Sequence, residues 1–343
     1  MTNNQRPGVY SSYTVSSGYT SPRSAKKAAL VCAGRAGLIQ QGQSILLSSA
    51  RQASEYLDAV QDAAIWEYCQ ILFESGVSGV VLACVQGNYA PALEMVGGIE
   101  NIGVLLCDAT QEAALGLALE SVCRSSENGR ERVLFAGAGS AGQATQMAGW
   151  LNHERAVVCA PGAIGKSGEA RALSGACALA GAVLAANSAA YNFSGCAMEA
   201  LRGVQPLSEN EIQSMLQAGA SVLEEQNGVV QCVRAVTSRT RAGGADDLSM
   251  RSLNSILVID TVMQSVRDCL KERMRGTQSL SYQSVATQVL VELAELKSRG
   301  LIVSYSPPLV SADGSDPSVC IVDLAFCAAQ MVNQVHITAH ISL

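Results

Sequence analysis

Aromatic residues make up only 4% of this 343-residue chain, and it holds just three histidines. Stacking platforms for nucleobases are therefore poorly supplied, and hydrolytic chemistry that runs on imidazole has few candidates. Basic clusters are missing too. With 23 Lys and Arg against 29 Asp and Glu, the net charge is −6, and no Lys/Arg footprint is present to neutralise a phosphate backbone, which argues against nucleic acid as the main partner. Long apolar runs are also absent. The most apolar stretch, 176–190, is Ala/Gly-rich and carries Asn187 and Ser188; it is too short and too weakly hydrophobic to span a bilayer and reads as a buried helix with small residues at a close contact. The polar start, Met1-Thr2-Asn3-Asn4-Gln5-Arg6, lacks the apolar core of a secretory signal. Twelve cysteines are scattered singly from Cys32 to Cys327, with no C-x-x-C pair. Metal and redox sites want clustered thiolates, so these cysteines are expected to be reduced, buried, small fillers in a chain made in a cytosolic compartment.

What is present is core-forming material. Hydrophobic residues amount to 48%, and the length has room for roughly two domains. After a polar hinge at Ser21-Pro22-Arg23-Ser24, residues 28–34 read as a buried strand ending at a glycine. Helices are expected at 50–60 and 63–75, the second with Ile65, Trp66, Cys69, Leu72 and Phe73 on one face. A strand follows at 79–84. From Ile102 onward, apolar strands at 102–107, 132–136 and 156–160 alternate with helices at 111–124, 142–151 and 169–186, the pattern of an α/β sheet flanked by helices. Ser208 reads as the N-cap of a helix at 209–218, with Glu211 at the capping-box position and Gly219 as its stop. Asn227-Gly228 predicts a hairpin between strands near 222–224 and 229–235. Beyond a polar, glycine-containing linker at 241–247 come a strand or helix start at 253–259 and helices at 261–274 and 282–299, the last closed by Gly300. Strands at 301–305 and 319–324 complete the pattern. The expected fold class is α/β: a central sheet flanked by helices, a smaller α+β C-terminal domain, and extended strand arms at both ends.

The arms are the most telling feature. Val335, Ile337, Ala339, Ile341 and Leu343 alternate with His336, Thr338, His340 and Ser342, the period-two signature of a half-buried strand. Near the start, Val9, Ser11, Tyr13 and Val15 fall on one face and Tyr10, Ser12 and Thr14 on the other. A lone strand leaves backbone donors and acceptors unpaired, so each arm needs a sheet, its own or another subunit's.

Two motifs suggest nucleotide chemistry, and both are incomplete. Gly137-Ala138-Gly139-Ser140-Ala141-Gly142 is a literal G-x-G-x-x-G between an expected strand and helix. The next strand, however, ends Cys159-Ala160-Pro161 with no acidic residue to hold a ribose. The run from Ala160 to Ser167 resembles a P-loop but puts Ala160 where the tight phosphate turn needs glycine. Its bland alternative is a surface turn with a solvated lysine, Lys166. The apolar run ending in Asp260 poses as a downstream magnesium-binding strand. His153 lies in a polar turn, and His336 and His340, about 13 Å apart on a strand, are too distant for one metal without a ligand between them.

The order and spacing of several segments resemble the contractile tail sheath proteins of bacteriophages and R-type bacteriocin-like particles, in a compact version. Arg6-Pro7-Gly8-Val9-Tyr10 is similar to their Pro-Gly-Val-Tyr start, and the 176–186 segment to their Ala/Gly-containing helix. The Leu207-Ser208 helix start, Gly219-Ala220 and the Asn227-Gly228 hairpin follow their order. Ser238-Arg239-Thr240 departs from the Asn-Thr-Leu found in many of them. The run from Val258 to Val262 with Val266-Arg267-Asp268 resembles their C-terminal helix, and the ending their final strand.

The resemblance implies a structural subunit without catalysis, cofactor or metal. It implies linking arms at 1–22 and 333–343, an α/β part at 23–100 packing with the C-terminal domain, a central domain at 101–240 and a C-terminal domain at 241–332. The arms, through Val9, Tyr10, Tyr13, Val15, Val335, Ile337, Ala339 and Ile341, would add strands to neighbouring copies, with hinges at Ser17-Gly18 and 241–247. A C-terminal helix would face an inner tail tube, the candidate being 282–299 with Glu292, Glu295, Lys297 and Arg299. Expected partners are other copies in a helical homopolymer, the inner tube protein, and baseplate and tail terminator proteins, with no nucleic acid and no membrane insertion. The chain would be made in the bacterial cytoplasm and assembled into a particle tail. The competing expectation is a nucleotide- or dinucleotide-binding α/β enzyme.

Overall fold

The structure is a computed structural model that describes residues 26–34, 39, 42–58, 60–274, 281–312, 314 and 320–329. Both expected arms, with Val9, Tyr10, Tyr13, Val15, Val335, Ile337, Ala339 and Ile341, lie outside the described residues, as do Ser17, Gly18, His336 and His340.

From β1 (Lys27–Ala33) the chain runs through β2 (Ser44–Leu47), α1 (Ala50–Ala53), α2 (Ala63–Glu74), β3 (Val80–Val85), α3 (Ala90–Gly97) and β4 (Ile102–Cys107). It continues through α4 (Glu112–Glu127), β5 (Val133–Gly137), α5 (Ala141–Leu151) and β6 (Ala156–Ala160). Two short strands, β7 (Ala163–Ile164) and β8 (Ala170–Arg171), lead into α6 (Ala172–Ala185). Then come β9 (Gly203–Val204), α7 (Glu209–Ala218), β10 (Ala220–Gln226) and β11 (Val229–Arg234). Eight of these strands form one sheet in the order β11-β10-β6-β5-β4-β1-β3-β2, parallel except for the antiparallel edges β11 and β2. Its inner strands are buried on both faces, which is why they read as continuous apolar runs without alternation. One hydrophobic core holds Leu30, Leu106 and Phe135 with residues of α2 and α6. The opposite one holds Val31, Leu105 and Leu134 with residues of α3, α4, α5 and α7. Because β1 pairs in parallel with β4, with Leu30 opposite Leu106, this sheet runs across the expected boundary at 100/101, and the 23–100 segment supplies three of its strands.

Local signals account for most element ends. Ser208 accepts a hydrogen bond from Glu211 N–H while the Glu211 carboxylate accepts from Ser208 N–H, closing a capping box on α7. Gly219 ends the helix at φ 88°. Asn227 and Gly228, both at positive φ, make the β10–β11 turn. The helix expected at 50–60 stops at Ala53. Turn bonds from the N–H groups of Ser54, Glu55 and Tyr56 to the carbonyls three residues back follow it, and further on the Asp58 carboxylate takes the N–H groups of Val60 and Gln61 at 2.9 and 2.8 Å, turning the chain toward α2. The small residues of α6 allow close approach. A Cβ on Gly181 would lie 2.3 Å from Ser75 Cβ on the end of α2, and one on Gly175 would lie 2.6 Å from Leu223 Cδ1.

The polar linker at 241–247 is a hairpin, β12 (Arg241–Ala242) with β13 (Ala245–Asp246), turned by Gly243 and Gly244 at positive φ. The ambiguous segment 253–259 is helical, part of the single helix α8 (Leu253–Met274). Its apolar residues are spread around the helix because Leu253 and Ile256 join the core of the sheet while Val258, Val262 and Val266 join a third core; periodicity alone cannot separate such a helix from a buried strand. That third core is completed by α9 (Tyr282–Ser298) and by β14 (Ile302–Tyr305), β15 (Leu309–Ala312), β16 (Cys320–Asp323) and β17 (Phe326–Ala328).

Candidate assembly surface

The loops that resemble nucleotide sites are filled by the protein's own groups. Gly137 lies against the first turn of α6, where a Cβ would come 2.2 Å from the Ala172 carbonyl oxygen. Gly139 N–H donates to Gln143 Oε1 at 2.8 Å, and Gln143 N–H donates to Ser140 Oγ at 3.4 Å. Two of the loop's backbone donors are thus engaged by its own side chains. In the P-loop-like run, Ser167 is followed by β8, and α6 begins only at Ala172. Lys166 is not simply solvated: it pairs with Glu74. The buried Glu67 carboxylate accepts from Ser167 Oγ and Arg171 Nε, both at 2.7 Å. Asp260 lies on helix α8, not at a strand end, so the magnesium-site analogy loses its second half.

His153 Nε2 lies 3.7 Å from Cys123 Sγ, while its Nδ1 accepts from Arg155 N–H at 3.1 Å. Burial holds this imidazole below its usual value. Seven cysteines are buried as expected, but Cys320 and Cys327 are exposed on β16 and β17 and do not act as core fillers. Among the described residues no three His, Cys, Asp or Glu side chains gather as metal ligands. Among them, no helix is long and apolar enough to cross a membrane.

Among the described residues, the C-terminal part leaves strand edges without a partner: β14 pairs only with β17 and β15 only with β16, both antiparallel. Isolated two-stranded ribbons are marginal in water, and their outer edges carry unpaired backbone groups. The β15–β16 ribbon turns the opposed pair Val310 and Val322 toward the third core, while Leu309 is 72% exposed. On α9, Val285, Val289, Leu293 and Leu296 form the buried stripe. Glu292, Glu295 and Arg299 follow one another at helical spacing along one flank of that stripe. Lys297 is on the other flank, its ammonium 5.9 Å from the centre of the Tyr305 ring. Between the flanks, opposite the stripe, lie Thr287, Leu290, Val291 and Ala294, with Val291 56% exposed.

A polar joint fixes α8 to the sheet. Arg155, at the start of β6, donates from both guanidinium nitrogens to the two Asp260 oxygens at 2.8 Å each. The Asp260 side chain is 7% exposed. Burial pushes its carboxyl above the usual value, and the bonds and charge of Arg155 hold the rise back. Seven residues further along α8, Arg267 pairs with Glu131 and donates to the Gly129 carbonyl at 3.0 Å. Sequence reasoning missed this joint. Its trace was the spacing of Asp260 and Arg267, two turns apart, but nothing local names partners more than a hundred residues away.

The mixed eight-stranded sheet, the bridging helix and the small C-terminal ribbons define the fold of contractile tail sheath proteins. Over 97% of this chain and 98% of the other, the structure matches the helical sheath of the anti-feeding prophage in its contracted state, with a TM-score of 0.70 at 14% identity. The sheath tail protein of Listeria innocua gives 0.71 at 12% identity, over 89% of this chain and 92% of that one. A chain of the anti-feeding prophage baseplate gives 0.70 at 13%, over 99% and 100%. At these identities the likeness is one of fold. No family model matches the sequence, and no curated protein matches it.

Proposed function

We infer that the chain is the structural subunit of a contractile sheath, a non-enzymatic protein that polymerises helically around an inner tube and drives it through a target envelope by rearranging its packing. The observation that carries this reading is the end-to-end likeness to a sheath subunit, covering 97% of this chain and 98% of that one. The two-stranded ribbons support it, because their outer edges offer backbone groups to strands from other copies. The strands that fill them are the arms at 1–22 and 333–343, the first with Val9, Tyr13 and Val15 on one face and Tyr10 on the other, the second with Val335, Ile337, Ala339 and Ile341 on one face. Strand addition from copy to copy is a heterologous contact, and one that does not close gives a helical polymer. The tube-facing candidate is α9, with Glu292, Glu295 and Arg299 on one flank and Lys297 on the other. Further partners are the tube protein, the baseplate and a terminator protein. The chain is made in the bacterial cytoplasm and ends in a particle tail.

Electron microscopy of the purified chain is the test. Tubes that form and persist without nucleotide support the reading, whereas monomers that bind ATP or NAD overturn it. Removing residues 335–343 should leave a folded monomer that forms no tubes; tubes from that variant would end the account of the arms.

A further inference from the structure

Arg155, Arg171, Arg239 and Arg267 each end on a carboxylate. Arg234 and Arg251 instead line one cavity of about 370 Å³ between the second half of α7, the end of β11 and the residues before α8. Ser194 and, from α7, Gln213 and Gln217 complete its polar wall, and among the described residues no acidic side chain lines it. One Arg251 nitrogen donates to the Leu216 carbonyl in the last turn of α7. Among the described residues its Nε is buried with no hydrogen-bond partner. Burial, and to a lesser extent the charge of Arg234, hold the Arg251 guanidinium below its usual value. A buried guanidinium N–H left unmade is costly, and a planar fork of such donors matches an oxyanion.

We propose that this cavity receives a carboxylate side chain from a second copy of the chain, so that Arg234 and Arg251 form half of an ionic contact between subunits. This rests on the polymer reading above. The chain itself carries the complement: Asp and Glu outnumber Lys and Arg by 29 to 23, and carboxylates such as Glu169 and Asp246 stand largely exposed. A heterologous contact lets a cavity on one copy meet a different patch on the next.

The test compares wild type with Arg234→Gln and Arg251→Lys by sedimentation and electron microscopy across a salt series. Arg251→Lys keeps the charge but loses the fork, and thermal melts check that both variants fold. The R234Q variant should need about tenfold more protein to polymerise, as for an interfacial charge stripped of its partner, and its polymerisation should depend less on salt. Inorganic phosphate, at ionic strength matched with chloride, should inhibit the wild type and leave R234Q unaffected. Variants that polymerise like wild type overturn the proposal and leave the sheath reading intact. A wild-type chain that never polymerises overturns both. Phosphate that raises the melting temperature of the wild type but not of R234Q, with tube formation equal in both, shows a site for a free oxyanion and overturns the second copy as its source.

Discussion

Alanine at Gly137 and at Gly142 separates a packing role for the 137–142 loop from a dinucleotide role. A Cβ on Gly137 falls 2.2 Å from the Ala172 carbonyl oxygen and 2.5 Å from Leu173 Cα. Both are backbone atoms at the head of α6, so no side chain can swing away, and the helix must move by more than an ångström to restore contact distance. That helix is buried over most of its length and pinned by its own close contacts at Gly175 and Gly181. Overpacking of this kind costs about 1–3 kcal/mol, and the backbone opposition puts this case near the top. Gly142 is different. A Cβ there meets nothing within 4 Å, and the residue belongs to α5, so alanine should stabilise by about 0.5–1 kcal/mol through helix propensity. With a urea dependence of about 3 kcal/mol per M, far-UV circular dichroism should place the midpoint of Gly137→Ala about 1 M below wild type and that of Gly142→Ala about 0.2–0.3 M above it. A dinucleotide fingerprint makes the third glycine essential for close helix–strand packing. Loss of stability at Gly142 with none at Gly137 would refute the packing account.

Three further outcomes follow from the geometry. Asp260→Ala leaves the Arg155 guanidinium partly buried and unpaired, and should cost about 3–5 kcal/mol in denaturant titrations, while Arg155→Met with Asp260→Leu should recover most of it; a single variant within 1 kcal/mol of wild type would contradict a working joint. Asp108 accepts from Tyr89 Oη at 2.7 Å and Ala33 N–H at 2.9 Å, yet burial outweighs both bonds and raises its carboxyl. Its contribution is therefore full below the unfolded pKa near 4 and is lost as pH rises through the higher folded value. The stability of wild type relative to Asp108→Asn should fall from pH 4 upward, and a rise over that range would show the opposite shift. Finally, Ellman titration of the native protein should find Cys320 and Cys327 reacting fast, because they are exposed, while Cys69, Cys107 and Cys232, whose thiols burial pushes up to about 12, stay silent until unfolding. Fast reaction at a buried thiol would contradict the core described.

The parallel strands and most helices were legible because their signals are local. Ser208 with Glu211, Asn227 with Gly228, and Gly219 each specify backbone geometry within a few residues, and each structure matches its signal. The short strands β7, β8 and β9 were not legible, since two residues cannot display a period and the pairing of β7 with β9 spans some forty positions. Helix α3 was missed between Gly87 and Gly98, where Pro91 sits in its first turn and marks a start only once the helix is known. Of the candidate functional residues, α9 was found as a helix from its periodicity. The division of Glu292, Glu295 and Arg299 from Lys297 depends on which stripe is buried, and that depends on α8.

The joint also bears on where the chain can bend. Leu253 and Ile256 belong to the sheet's core and Val258, Val262 and Val266 to the C-terminal core, so a single unbroken helix is shared by both. Asp260 and Arg267, about 10 Å apart along it, tie that helix to Arg155 and Glu131 on the sheet side. A hinge between the two parts would have to break this helix or strand the buried charges of Asp260 and Glu131. The 241–247 segment, expected as a polar linker and a hinge for the arms, is held as a hairpin: Arg239 bridges Glu154 and Asp247, and Asn152 Oδ1 accepts from the N–H groups of Thr240 and Arg241. Under the sheath reading, the described part of the subunit therefore turns as one body, and the change in packing is taken up between copies, where strand edges and exposed charges are available to exchange partners.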